Sequence, residues 1–192
     1  MQAGRASTIE LLGDGRLLRR GGHPEREAAI MAVARQHGFP VPAVHEARPD
    51  SLVMDRVAGP TMAEDLAHRP WFARRQMRVL AELHRRLHAI PFEDGVLVHY
   101  DLHPLNVLLS SAGPVVIDWT NARAGAADAD VALTWLILST SAGRRGRLLA
   151  RFFAGAAGRD AIVRGLPAAR AFRLADHHVT DAERSRVRRV VP

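Results

Sequence analysis

Three polar side chains near the middle of the chain stand at the ends of two short apolar runs. Asp101 and Asn106 lie just before the run 107–109, and Asp118 directly follows the run 115–117. Apolar runs of this length, separated by turn-forming residues, predict a β-hairpin. Such a hairpin brings Asn106 and Asp118 to the same end, beside Asp101. A carboxylate for a reacting hydroxyl, together with an Asn/Asp pair for magnesium, is suited to phosphoryl transfer from a nucleotide.

The sequence around these residues resembles that of a known enzyme family. The pattern His-x-Asp-x-x-x-x-Asn over residues 99–106, followed by Ile-Asp-Trp at 117–119, is similar to the catalytic and metal-binding loops of aminoglycoside phosphotransferases and choline-kinase-like enzymes. These enzymes are small-molecule relatives of the protein kinases, and further matches lie in the same order on either side. The resemblance implies an α+β, two-lobed protein-kinase-like fold, with a reduced N-terminal lobe and a mainly helical C-terminal lobe.

The resemblance also implies a role for each of the three polar side chains. Asp101 would accept the proton of a substrate hydroxyl, or orient that hydroxyl, for in-line attack on the terminal phosphate. Asn106 and Asp118 would bind Mg²⁺ through their oxygen atoms. The expected cofactors are ATP, with GTP as the alternative, and Mg²⁺.

Four further residues are expected to shape or support this loop. His99 would orient it by hydrogen bonding, and His103 would shape the turn before the metal-binding Asn. In the related families an Asp at the start of the next helix hydrogen-bonds the loop backbone. Asp130 matches that position, and Asp128 is the alternative.

Residues 1–57 are predicted to form the small nucleotide-binding lobe. Its elements are strands over 8–12 and 16–20, a helix over 23–38, and strands over 44–47 and 51–54. In the related families a Lys or Arg before this helix contacts the phosphates and pairs with a Glu of the helix. Arg19 and Glu27 match these positions, with Arg20 as the alternative to Arg19. Strand alternation places Arg19 and Arg20 on opposite faces, so only one can point into the cleft.

Two other features of this lobe lead to predictions. The helix is expected to bury a face that contains Ala28, Met31 and Ala32 beside Glu27. The connector 54–57 resembles the interlobe hinge of the family, so Met54, Asp55 and Val57 are candidates for binding the purine. Ordinary core packing is the competing interpretation for Met54.

Residues 58–192 are predicted to form the helical lobe that carries the catalytic hairpin and the acceptor pocket. Its predicted elements are a capped helix from 61, a long helix over 71–88, a strand over 95–98, a helix through 138, and helices over 144–153, 161–174 and 181–190. His84 and His88 lie one helical turn apart. A half-buried polar edge is favoured over a metal site for this pair.

Two rival functions fit parts of the sequence. A zinc or di-metal hydrolase would use His99, Asp101, His103 and Asp118, but it leaves Asn106 and the N-terminal lobe unexplained. A catalytically degenerate kinase-like binding or scaffold protein is the second rival. It is favoured because only one hairpin precedes the first helix, which shortens the loop that would cover the phosphates, and because lysine is absent. The retained Asp/Asn/Asp set argues against this second rival.

Composition limits the remaining choices. The net charge is +7 and every basic side chain is Arg, yet the basic C-terminal helices lack interleaved aromatic residues, so no nucleic-acid partner is expected. The most apolar run, 131–138, is too short to span a bilayer, and the residues before the first strand lead us to expect no signal peptide. Cysteine is absent. We expect a cytoplasmic enzyme without a membrane partner, whose acceptor is a hydroxyl of a small molecule.

Overall fold

The fold is taken from a computed structural model, which describes residues 8–141, 143–176 and 179–192. Residues 1–7 of the predicted N-terminal lobe, and residues 142, 177 and 178 of the predicted C-terminal lobe, lie outside the described residues. The described chain is an α+β structure in which a sheet-containing part comes first and a mainly helical part follows. The predicted fold class is therefore confirmed, while the lobe boundary at residue 57 stays a prediction.

The N-terminal part is an antiparallel sheet covered by one helix. Its elements are β1 (Thr8–Leu11), β2 (Arg16–Arg20), α1 (Pro24–Gln36), β3 (Val44–Arg48) and β4 (Ser51–Asp55), with the strand order β1-β2-β4-β3. Arg19 pairs with Leu52 in the β2–β4 register, at the centre of the sheet. The strands agree with the sequence prediction to within one residue at each end.

Helix α1 begins with a proline in its first turn, where a missing N–H costs nothing, and packs on β3 and β4. Its buried face differs from the predicted one, because Ala28 is only half-buried and Ala32 is exposed. The helix is apolar on almost every side from 28 to 34, so periodicity alone does not select the buried face. The sheet selects it instead. The buried residues are Pro24, Glu27, Ile30, Met31 and Ala34.

The hairpin predicted to carry the site residues lies within the helical part. It consists of β7 (Val107–Ser110) and β8 (Gly113–Val116), and a 3₁₀ turn over Pro104–Asn106 precedes it. A second small sheet, β5 (Pro91–Phe92), β6 (Gly95–Val98) and β9 (Arg123–Gly125), leads the chain into and away from this hairpin. Because the Ile117 N–H donates to the Asn106 carbonyl over 3.0 Å, Asn106 and Asp118 leave the hairpin at the same end.

The helices of this part surround one buried helix. They are α2 (Met62–His68), α3 (Ala73–His88), α4 (Ala127–Thr140), α5 (Gly143–Ala157), α6 (Arg159–Ala175) and α7 (Asp181–Arg189). Every residue of α4 from 129 to 138 is buried, as expected for a helix that is apolar on all sides. The long helix predicted over 71–88 is shorter than expected, because a 3₁₀ turn over Pro70–Phe72 precedes α3.

Local caps and cross-contacts fix the connector between the two parts. Thr61 caps α2 in a capping box with Glu64, whose carboxylate accepts the Thr61 N–H over 2.7 Å. The Leu109 N–H donates to the Pro60 carbonyl over 2.8 Å, and the Val116 N–H donates to the Pro40 carbonyl over 2.8 Å. The hairpin is thereby tied to segments on both sides of β3 and β4. Within the described chain, no helix combines the length and the apolar character needed to cross a bilayer.

A glycine controls how closely α6 approaches α4. A Cβ atom at Gly165 would lie 1.9 Å from the Asp128 carbonyl oxygen, whereas a Cβ atom at Gly155 of α5 would have nothing within 4 Å. Replacing Gly165 by Ala should therefore lower the free energy of unfolding by about 1–3 kcal/mol or more. Replacing Gly155 by Ala should raise the free energy of unfolding by about 0.5–1 kcal/mol, because alanine has fewer backbone conformations than glycine in the unfolded chain.

Thermal unfolding followed by circular dichroism checks this pair of variants. Each kcal/mol corresponds to about 2–4 °C in a chain of this size. Equal melting temperatures for the two variants would show that the helices separate to accept the methyl group, which would contradict the close approach.

Candidate active site

Asp101 lies in the loop that follows β6, and both of its carboxylate oxygens are held. The Asn106 Nδ2 group donates to Asp101 Oδ2 over 2.9 Å and to the Asp101 backbone carbonyl over 2.8 Å. The Leu105 N–H donates to Nδ1 of His103, which leaves the His103 proton on Nε2, and this Nε2 lies 3.2 Å from Asp101 Oδ1. The Asp101 side chain is still 24% exposed. The carboxylate is thus fixed in direction but accessible, as a group that receives a substrate hydroxyl must be.

Asn106 and Asp118 carry the oxygen atoms predicted to bind magnesium. The Nδ2 group of Asn106 is committed to Asp101, so the side-chain carbonyl oxygen is the atom that Asn106 can offer to a cation. Asp118 is exposed and has a φ of +61°, an uncommon backbone conformation for a residue other than glycine. Thr120 Oγ1 donates to Asp118 Oδ1 over 2.9 Å. Because these ligands are carboxylate and carbonyl oxygens, the residues present fit Mg²⁺.

Asp130 hydrogen-bonds the backbone of the loop just before Asp101. Its Oδ2 accepts the His99 backbone N–H over 3.1 Å, and its Oδ1 accepts the Tyr100 backbone N–H over 2.8 Å. The alternative candidate, Asp128, pairs instead with Arg164 on the surface, at 2.7 Å. Burial alone would raise the pKa of Asp130, but hydrogen bonds to the carboxylate, among them one from His88 Nε2 over 2.9 Å, lower it well below its usual range. Asp130 is therefore a buried carboxylate anion at neutral pH.

His99 is fully buried and connects the two halves of the site. Its ring lies against Trp119 with centroids 5.0 Å apart, and its Nε2 lies 3.2 Å from the Ile117 carbonyl oxygen. Burial lowers the pKa of the imidazole, so the ring is neutral at pH 7 and Nε2 donates to that carbonyl. This geometry makes His99 a positioning residue that ties the Asp101 loop to the segment before Asp118.

Arg19 and Glu27 form a buried ion pair between β2 and α1. Arg20, the alternative candidate, is exposed on the opposite face of the sheet. Arg19 Nη1 also lies 3.4 Å from Thr120 Oγ1, which in turn donates to Asp118. The structure thus connects the predicted phosphate contact to the predicted metal ligand through Thr120. Thr120 was not predicted from the sequence. The one local feature that could have suggested it is its place two residues after Asp118.

The predicted purine-binding residues are partly engaged within the protein. The Asp55 carboxylate lies 2.7 Å from His45 Nε2, and the Asp55 backbone N–H donates to the Ala43 carbonyl over 2.8 Å. Met54 is partly buried against the core, which agrees with the packing interpretation. Val57 is half-buried just beyond the end of β4. Of the three residues, Val57 remains the candidate whose backbone would contact a purine.

A cluster next to Asp101 was also missed by the sequence analysis. Tyr100 has a φ of +55° and stacks on Phe172 of α6 with ring centroids 5.0 Å apart. The Arg123 guanidinium lies over both rings, 4.9 Å from the Tyr100 centroid and 5.0 Å from that of Phe172. Burial raises the pKa of the Tyr100 phenol, which therefore stays neutral. These contacts hold the residue before Asp101 in its strained backbone conformation.

The chain is similar in sequence to known proteins. Residues 86–172 match the sequence model of the phosphotransferase enzyme family. A protein named probable serine/threonine-protein kinase BUD32 homolog, from Archaeoglobus fulgidus, is 29% identical over 93 residues. The match covers 48% of this chain and 42% of that protein, so it spans less than half of the relative's length.

Solved structures match over almost the whole chain. An ethanolamine kinase from Plasmodium vivax has a TM-score of 0.61 at 11% identity, over 95% of this chain and 81% of its own. The ADP-bound aminoglycoside phosphotransferase APH(2'')-Ib has a TM-score of 0.64 at 14% identity, over 98% and 90% of the two chains. For the aminoglycoside phosphotransferase APH(4)-Ia the values are 0.62 and 17%, over 97% and 82%. At these identities the likeness concerns the fold.

The family match spans the loop, the hairpin and the start of α4, which hold Asp101, Asn106, Asp118 and Asp130. The resemblance inferred from the motifs is therefore confirmed: the chain has a protein-kinase-like fold, and residues 86–172 match the model of the phosphotransferase enzyme family.

Proposed function

We propose that this protein is a Mg²⁺-dependent phosphotransferase that moves the terminal phosphate of ATP, or of GTP, to a hydroxyl of a small molecule. The observation that carries the proposal is the placement of three oxygen-bearing side chains at one end of the hairpin. Asp101 is accessible and held by Asn106, and Asp118 leaves the adjacent strand at the same end. This is the set of groups that phosphoryl transfer requires.

Asp101 would act on the attacking hydroxyl. The substrate oxygen forms a bond to the terminal phosphorus while the bond from that phosphorus to the bridging oxygen of the nucleoside diphosphate breaks. The hydroxyl proton passes to Asp101 and then to solvent. The hydrogen bond from Asn106 and the contact with His103 Nε2 at 3.2 Å keep the carboxylate aimed at the hydroxyl and spare the cost of orienting it during the reaction.

The nucleotide phosphates would be held from both parts of the fold. Asn106 and Asp118 would hold Mg²⁺, which when bound supplies positive charge that neutralises the phosphate oxygens. Arg19 would contact the phosphates with the part of its guanidinium not used by Glu27 and Thr120. Val57 would bind the purine through its backbone. The ADP-bound state of APH(2'')-Ib supports a nucleotide site in this fold.

The acceptor class is proposed from the structural neighbours. Their names give ethanolamine and aminoglycosides as substrates, which are small molecules that carry hydroxyl groups. Helix α5, in the helical part, is rich in exposed arginine. This disfavours a polycationic aminoglycoside as the acceptor and favours a neutral or anionic alcohol. We place the reaction in the cytoplasm, which suits a chain without cysteine.

Replacing Asp101 by Asn tests the catalytic carboxylate. The amide keeps the size of the side chain and one acceptor oxygen, but it cannot accept the hydroxyl proton. We expect the rate of phosphoryl transfer to fall by about 10²–10⁴-fold while nucleotide binding changes little. The assay follows ADP or GDP release and phosphorus NMR over a panel of small alcohols, starting with amino alcohols. Asp94→Asn, which changes an exposed carboxylate on the β5–β6 turn, is the control. Undiminished turnover by the Asp101 variant would remove this residue from its role.

Replacing Asp118 by Asn tests the metal-binding carboxylate. Asparagine also tolerates a positive φ, so the fold should be retained. For the wild-type protein, ATP or GTP with Mg²⁺ at about 100 times the dissociation constant should stabilise the fold by about 2.7 kcal/mol. This corresponds to about 5–10 °C in a thermal unfolding experiment. The shift should require Mg²⁺ and should be lost in the variant.

The same experiment separates the proposal from the degenerate alternative. A Mg²⁺-dependent shift with transfer to an acceptor supports the enzyme. A shift without transfer to any acceptor identifies a kinase-like binding protein, and no shift with either nucleotide would contradict both.

Arg19 and Arg20 form a matched pair for testing the phosphate contact. Arg19→Lys keeps the charge beside Glu27 but replaces the planar fork by a single ammonium group. Loss of one charge-assisted hydrogen bond, worth about 1.5 kcal/mol, should weaken nucleotide binding by about tenfold. Arg20→Lys should leave it unchanged, because that side chain is exposed on the other face. Titration calorimetry gives both affinities, and equal losses would contradict the assignment of Arg19.

A further inference from the structure

A buried group of nitrogen and oxygen atoms lies beneath the catalytic loop. His84 and His88 of α3 face Asp130 of α4, and the nearest nitrogen or oxygen atoms of the three side chains lie within 4.8 Å of one another. His84 Nδ1 is 3.5 Å and His88 Nε2 is 2.9 Å from Asp130 Oδ2. The side chains of His84 and Asp130 are 1% and 0% exposed, and that of His88 is 10% exposed.

The hydrogen bonds of Thr134 determine which nitrogen of His84 carries a proton. Thr134 Oγ1 lies 2.6 Å from the Leu102 carbonyl oxygen, which can only accept, so the single hydroxyl proton points there. The same Oγ1 lies 2.9 Å from His84 Nε2, and it must therefore accept a proton from that nitrogen. With its proton on Nε2, a neutral His84 presents a lone pair at Nδ1.

This lone pair faces a carboxylate oxygen in a buried place. Within the described part of the chain, Nδ1 of His84 has no hydrogen-bond partner. Two acceptors that face each other in a buried place repel, and a buried acceptor without a donor is costly. A positive charge between the two atoms removes both penalties. That charge can come from a proton on Nδ1 or from a metal cation, and the position of His88 Nε2, 2.9 Å from the same Asp130 oxygen, favours a cation that all three side chains share.

We propose that His84 Nδ1, His88 Nε2 and Asp130 Oδ2 supply three ligands of a site for one transition-metal ion, with Zn²⁺ as the best match. Two imidazole nitrogens and one carboxylate oxygen are ordinary Zn²⁺ ligands. Ligand atoms about 2.0–2.1 Å from a tetrahedral zinc ion lie about 3.3 Å from each other. The distances from Asp130 Oδ2 to His84 Nδ1 and to His88 Nε2, 3.5 and 2.9 Å, bracket that value. This site differs from the proposed Mg²⁺ site, where the donors are oxygen atoms.

The atoms around the cluster are arranged as supports for metal ligands. The Nε2–H of His84 donates to Thr134, which fixes the tautomer and the ring direction. Asp130 Oδ2 uses one lone pair for the His99 N–H, so the other is available once metal replaces the His88 proton. Asp130 Oδ1 is held by the Tyr100 N–H. Bound metal would join α3 and α4 to the loop that carries Asp101, and this inference does not depend on the proposed function.

Metal titration of the full-length protein tests the site. The protein is treated with EDTA, dialysed, and titrated with Zn²⁺ in a calorimeter, and Co²⁺ serves as a spectroscopic probe. We expect one Zn²⁺ per chain, a rise in melting temperature on adding Zn²⁺, and the visible absorption of tetrahedral Co²⁺ with nitrogen ligands.

Glutamine variants separate ligation from hydrogen bonding. In His84→Gln and His88→Gln the amide nitrogen takes the place of Nε2, so donation to Thr134 or Asp130 is kept while the metal ligand is lost. Zn²⁺ affinity should fall at least tenfold in each, because ligation is lost. In Thr134→Val, which removes a support but no ligand, it should fall by about 10–100-fold. His68→Gln, at an exposed position on α2, and Asp118→Asn should bind Zn²⁺ like the wild type.

Two results would overturn the inference. One is a wild-type protein that takes up no Zn²⁺ or gives only an octahedral Co²⁺ spectrum. The other is unchanged affinity in folded His84→Gln or His88→Gln. If a glutamine variant does not fold, the wild-type Co²⁺ spectrum and the Thr134 variant decide. Because Asp118→Asn disables the proposed magnesium site alone, failure of the zinc site and failure of the phosphotransferase function give different results.

Discussion

The candidate site depends on one buried carboxylate. The backbone before Asp101 is irregular, and its successive N–H groups at His99 and Tyr100 point into the protein, where unpaired donors are costly. Asp130 satisfies both, one with each oxygen. Because Asp130 belongs to α4, which is buried along most of its length, the loop takes its position from a helix inside the core. The direction of the Asp101 carboxylate is thus set by a helix that begins 26 residues later in the chain.

Backbone strain is found at both ends of the segment that holds the Asp101 loop and the hairpin β7–β8. Tyr100 and Asp118 have positive φ values. Tyr100 directly precedes Asp101, the proposed catalytic carboxylate, and Asp118 is itself the proposed metal ligand. Such conformations persist where the surroundings determine them. Tyr100 is held by its stack with Phe172, and Asp118 by the hydroxyl of Thr120. The strain therefore lies where a side chain must point away from the regular strand direction, toward the shared end of the hairpin.

The sequence predicted the elements that depend on local pattern. The hairpin β7–β8 and the strand β6 could be predicted from short apolar runs, and the Asp/Asn/Asp spacing indicated their shared end. Burial of Glu27 and Met31 on α1 agrees with the prediction, but Ala28 and Ala32 were wrongly included, because an almost continuous apolar run has no clear period. Contacts of Thr120 with Arg19, and of His84 with Thr134, join residues 101 and 50 positions apart. No local pattern specifies such pairs, since they arise from the packing of whole elements.

The replacement of lysine by arginine in the N-terminal sheet can be judged from its contacts. One guanidinium nitrogen of Arg19 pairs with Glu27 and another lies near Thr120, so the planar fork uses two directions at once. A lysine ammonium is a point charge on a flexible stem and does not fix these two directions together. Through Thr120 the fork is coupled to Asp118, the proposed metal ligand on the other part of the fold. Arginine at this position therefore makes two contacts that a lysine would not make together, and it does not indicate a degenerate site.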